Sequence, residues 1–100
     1  MSTPLDRTLA LIRAAEAEAR AAIEAEMERD PLAAFRLATE IAEEFRRAAN
    51  HIAQLRGVAA HAIRERDKLS LRGLADRIDV SYPRARELAA IGAASEADSE

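Results

Sequence analysis

Between Leu5 and Ala62 the apolar residues return at spacings of three, four and seven, and Asp30-Pro31 is the one break in that rhythm. A helix of 3.6 residues per turn gathers such positions onto one face, whereas a strand needs a period of two. Long helices are therefore the main product of this chain. Thr3-Pro4-Leu5-Asp6 is a compact helix start: threonine caps, proline suits the first helical position, and an acid follows three residues after the cap. Leu5, Leu9, Ile12, Ala19, Ile23 and Met27 then form a stripe to about Arg29, which at 1.5 Å per residue predicts a helix about 37 Å long. The Glu16–Arg20 pair lies at the favourable i,i+4 spacing. This helix is too long and too narrowly striped to satisfy itself alone.

Asp30 caps the next helix and Pro31 takes its first position. Its stripe is Ala38, Ile41, Phe45, Ala48, Ile52, Leu55, Ala59 and Ala62, widened by Phe35, Val58 and Ile63. The pattern predicts one helix from Pro31 to about Asp67, or two nearly collinear ones broken at Asn50 or Gly57, since each of these weakens a helix interior. Joined by almost no loop, the two long helices are expected to fold back as an antiparallel hairpin or to extend toward a partner chain.

Hydrophobic residues make up 49% of the 100-residue chain, but aromatics only 3% and much of the rest is alanine. Such a chain favours closely packed helices over a thick aliphatic core or a sheet. There is no cysteine, so disulfides and thiolate metal sites are excluded, and no apolar run approaches the ~18 residues of a membrane span. No secretory signal is visible at the start, and a cytoplasmic, nucleoid location is expected. The formal charge of −3 hides an asymmetry. Residues 1–45 carry five Arg against ten Asp and Glu, while residues 46–94 carry ten Lys and Arg against five acids. The basic second half suits a polyanionic partner. The last residues, AASEADSE, are small, acidic and aperiodic, and are expected to form a disordered tail.

One stretch points to a function. In Ser70–Ala90, SLRGLADRIDVSYPRARELAA, a serine opens each of two short helical patterns. Ser70 caps a helix with Leu71, Leu74, Ala75 and Ile78 inward; Ser81 caps another with Ala85, Leu88, Ala89 and Ile91 inward. Pro83 falls in the first turn of the second, where its missing N–H costs nothing. Val80 follows a tight turn around Asp79 and plugs the space between the helices.

This stretch resembles the helix-turn-helix of bacterial and phage transcription regulators. That pattern asks for a small residue where the helices cross, matched by Ala75, and for apolar residues at the positions of Leu74, Ile78, Val80, Ala85 and Leu88. The turn residue is usually glycine because its backbone is left-handed; Asp79 stands there, and aspartate tolerates that conformation better than most residues. Ala85 is smaller than the usual valine or isoleucine, which implies a closer helix contact.

The resemblance implies that the second helix enters the major groove of double-stranded DNA with its N-terminal residues at the base edges. The candidates are Ser81, Tyr82, Pro83, Arg86 and Glu87. Arg86 suits a bidentate contact to guanine, Glu87 suits cytosine N4 or orients Arg86, and Tyr82 and Pro83 offer apolar contact to a thymine methyl. Arg66, Lys68, Arg72, Arg77 and Arg84 suit phosphates, which position the protein without reading sequence.

Enzyme chemistry is not expected. His51 and His61 are ten residues apart on one helical pattern, about 15 Å along its axis and too far to share a metal. Glu43 and Glu44 point differently around a helix, and no phosphate loop, nucleophile elbow or metal-spaced cluster is present. No cofactor, metal or small-molecule ligand is indicated. The expected architecture is all-α, with a long N-terminal helical hairpin over residues 1–67 that pairs two copies, a helix-turn-helix over 68–92 and a tail over 93–100. The expected function is that of a dimeric transcriptional regulator. The alternatives are a nucleoid-associated architectural DNA binder with low sequence preference, and an anti-sigma or antitoxin-like helical module whose acidic half binds another protein.

Overall fold

A computed structural model describes residues 1–98. It is all-helical: α1 (Pro4–Arg29), α2 (Pro31–Asp67), α3 (Leu71–Ile78) and α4 (Tyr82–Asp98), with no strand among the described residues. The chain forms two compact units, Met1–Arg46 and the remainder from Arg47, with the division falling inside α2.

The N-terminal unit begins with a reciprocal cap. The Thr3 hydroxyl accepts from the Asp6 N–H at 3.0 Å, and the Asp6 carboxylate accepts from the Thr3 N–H at 3.1 Å. Asp30 serves both helices that it separates. Its N–H donates to the Glu26 carbonyl at 2.8 Å, and its Oδ1 accepts from the Leu32 and Ala33 N–H groups at 3.1 and 3.2 Å. Its extended backbone is the one that a following proline favours. Glu16, Ala19, Ile23 and Met27 of α1 and Ala38, Ile41 and Phe45 of α2 line one shallow groove of about 400 Å³. The packing there is thin. No residue of α1 is buried, and Ala34 is the one buried residue among the first 46.

The second unit holds the core. Ala60 of α2, Leu74 and Ala75 of α3, and Ala85, Leu88 and Ala89 of α4 are buried together, with Ile63, Leu71, Ile78 and Val80 at the edge. Four of those six are alanines, so the helix axes must lie close. The glycines show how close. A Cβ on Gly57 would lie 2.7 Å from Ile91 Cγ2 and 2.9 Å from the Leu88 carbonyl oxygen; one on Gly92 would collide with the Gly57 carbonyl and with His61 Cβ.

Of the two readings of the second stripe, the structure has the single helix: α2 runs unbroken from Pro31 to Asp67, and Gly57 is the seat of α4 rather than a weak point. The crossing also accounts for one departure from expectation. The acidic end, expected to be a disordered tail from residue 93, is helical to Asp98. Gly92 carries the helix against α2, Ala93 and Ala94 are strong helix formers, and Glu96 pairs with His61. The last two residues of the expected tail lie outside the described residues. Ile91, expected inward, is 38% exposed, and Gly92 takes the buried position beside it.

Candidate nucleic-acid interface

The α2–α3 corner and the α3–α4 turn hold the candidate residues in place. α2 ends with Lys68 in the left-handed region (φ 52°), where the Leu69 N–H reaches back to the Arg64 carbonyl at 3.0 Å. Arg64 Nε also donates to the Leu69 carbonyl at 3.1 Å. Ser70 then caps α3, accepting from the Gly73 N–H at 3.0 Å. α3 closes in the same manner as α2: Asp79 is left-handed (φ 57°, ψ 52°) and the Val80 N–H donates to the Ala75 carbonyl at 3.0 Å. Asp79 therefore holds the conformation for which glycine is the ordinary choice. Ser81 starts α4, its hydroxyl accepting from the Arg84 N–H at 3.3 Å.

α4 has two faces. Ala85, Leu88 and Ala89 are buried, and Ala85 is fully so. On the other side Tyr82, Pro83, Arg86, Glu87 and Ala90 surround an open hollow of about 420 Å³. Four of the five base-edge candidates thus share one surface, while Ser81 is engaged as the helix cap. Tyr82 is 40% exposed, and the Arg72 guanidinium lies 5.3 Å from its ring centroid, a cation–π contact from α3 to the first residue of α4.

The basic residues divide into held and unheld. Arg84 donates to Glu87 Oε2 at 3.1 Å across one turn, which constrains both side chains. Arg66 and Arg77 converge on Asp67. Hydrogen bonds from Arg66 first, and then from Arg77, hold the Asp67 carboxyl below the usual carboxylate range, and the same bond raises Arg66 above its ordinary value. Lys68 and Arg86 are exposed, with no hydrogen-bonded or ion-pair partner among the described residues.

Three features escaped sequence reasoning: the Gly57–Gly92 crossing, the His61–Glu96 pair at 2.5 Å, and the Arg72–Tyr82 stack. A signal for the first was available, since Gly57 and Gly92 both sit in strongly helical stretches that do not otherwise ask for glycine. His51 is exposed, and no group of three or more metal-ligating side chains gathers among the described residues. No helix among the described residues is long and apolar enough to cross a membrane. No protein-family model matches the chain, and no curated protein or solved structure shows significant similarity to it.

Proposed function

We propose that the protein binds double-stranded DNA through a helix-turn-helix formed by α3 and α4, and acts as a dimeric transcriptional regulator. The observation that carries this reading is the α3–α4 junction. A left-handed Asp79 joins two serine-capped helices whose small residues Ala75 and Ala85 are both buried, and the opposite side of α4 stays open around Tyr82, Pro83, Arg86 and Glu87. In this reading α4 enters the major groove and Arg86 reads guanine. Lys68 and Arg72 contact phosphates, with Arg66, Arg77 and Arg84 nearby. The N-terminal helices form a hairpin that pairs two copies, so that two reading helices address half-sites about 34 Å apart. A nucleoid location follows from the same reading.

The test is selection of preferred duplexes by the full chain, followed by titration of a selected and a random duplex at two salt concentrations. Arg86→Ala is expected to lower discrimination by about 1–3 kcal/mol at one base pair. Unchanged DNA binding after joint Arg84→Ala and Arg86→Ala replacement would overturn the placement of the interface. A steep salt dependence with little preference for the selected duplex would favour an architectural DNA binder instead.

A second reading, a helical module that binds another protein, is favoured by one observation. The acidic N-terminal unit leaves Leu11 and Phe35 about 70% exposed. Absence of retention on DNA at low salt would select it.

A further inference from the structure

The carboxylate that ends α2 faces two arginines, Arg66 beside it in the chain and Arg77 in the last turn of α3. Asp67 Oδ1 accepts from Arg66 Nε at 3.0 Å, and Oδ2 accepts from an Arg66 terminal nitrogen at 3.3 Å and from an Arg77 terminal nitrogen at 2.5 Å. The Asp67 side chain is 24% exposed, against 75% for Arg66 and 52% for Arg77. The anion is thus the fixed, sheltered member and the two guanidiniums are its solvent-facing partners. The left-handed Lys68 and the Arg64–Leu69 bond close the corner directly after Asp67, which limits its freedom to move away.

We propose that Asp67 is a positioning residue that holds Arg66 and Arg77 off the DNA phosphates and thereby restrains sequence-independent binding. The proposal rests on the DNA-binding reading. Its physical basis is charge accounting. A phosphate contact from Arg77 either gives up the bond to Asp67 or brings a phosphate beside a carboxylate, and both weaken the contact. Arg66 faces the same choice. Lys68, Arg72 and Arg86 have no carboxylate partner among the described residues, so they stay available to the duplex. Two cations that would strengthen binding to any sequence are thereby subtracted, while the base-reading surface of α4 is untouched.

The experiment is a fluorescence-anisotropy titration of the full chain with the selected and the random duplex across a salt series, comparing wild type with Asp67→Asn and Asp67→Glu. Each phosphate neutralised adds about 0.9 to the slope of log K against log salt. Asp67→Asn is expected to steepen that slope by about 0.9–1.8, so that between about 50 and 200 mM salt it loses up to about 12-fold more affinity than wild type. At low salt it binds the selected and the random duplex more tightly by a similar factor, because phosphate contacts do not read sequence. Asp67→Glu keeps the charge and keeps the wild-type slope. An unchanged or shallower slope in a folded Asp67→Asn protein overturns the proposal, because a purely structural corner would leave counterion release alone.

Arg77→Gln in the wild-type background provides a second measurement that leaves Asp67 in place. It is expected to lower the slope by well under one phosphate's worth; a full-contact loss means that Arg77 already sits on a phosphate and also overturns the proposal. Failure of the wild type to bind any duplex at low salt would remove the DNA reading itself. Normal wild-type binding with an unaltered Asp67→Asn slope removes only the role of Asp67.

Discussion

At position 79 the backbone needs a left-handed residue, and the chain supplies aspartate rather than glycine. The short polar side chain makes that tolerable, and the α3 turn closes normally on the Ala75 carbonyl. Glycine is used elsewhere for a different purpose. In an ordinary helix interior Gly→Ala gains up to about 1 kcal/mol. At Gly92 the new methyl would strike the Gly57 carbonyl and His61 Cβ, so Gly92→Ala is expected to lose about 1–3 kcal/mol by overpacking. Gly73 makes the contrast, since a Cβ there would meet Ser70 Oγ and Leu69 no closer than 3.4 Å. Gly73→Ala is expected to stabilise by about 0.5–1 kcal/mol. Urea denaturation of the two variants reads the opposite signs directly, and a stabilising Gly92→Ala would contradict the close crossing.

Among the elements, α2 does the most varied work. Its first part shares a groove with α1, and its second part seats α4 and ends in the Asp67 corner that ties it to α3. That tie has a pH signature. The folded state holds the Asp67 carboxyl below its unfolded value, because Arg66 and Arg77 bond to the ionised form. Its stabilising contribution is therefore complete above the unfolded pKa of about 3.9 and is lost as pH falls through the lower folded value. The melting-temperature gap between wild type and Asp67→Asn is expected to stay level from neutral pH to about 5 and to close below about 4. Circular-dichroism melts across that range check it, and a gap that widens on acidification would contradict it. α4 gains its extra length in a comparable way, from contacts to α2 that continue past Ile91 through Gly92 and Glu96.

The whole molecule is uneven. The unit from Arg47 has a shared core, whereas the first 46 residues bury one alanine and leave Leu5, Leu11, Ile12, Met27, Leu32, Phe35 and Phe45 exposed. So small a unit with so little buried surface usually depends on a partner for stability. A second copy is the partner that the DNA-binding reading calls for. Sedimentation of the full chain is expected to show a concentration-dependent dimer, and Ile12→Glu or Phe35→Glu to shift it toward monomer by burying a charge at the joint. A monomeric wild type at high micromolar concentration would contradict pairing through these helices.

The sequence by itself determined the all-helical class, the boundaries set by Thr3-Pro4 and Asp30-Pro31, the serine caps and the turn at Asp79. Each of these depends on neighbours within a few residues: a cap reaches three positions and a stripe repeats every turn. It also singled out Leu74, Ala75, Ala85, Leu88 and Ala89 as inward, because a helix face is a local property. Only the tertiary structure decided the purpose of Gly57 and Gly92, the helical state of residues 93–98, the pairing of His61 with Glu96, and which arginines are held by Asp67 and Glu87. Those depend on which helices approach each other and how closely. That distance comes from small side chains far apart in the chain, which local periodicity does not register.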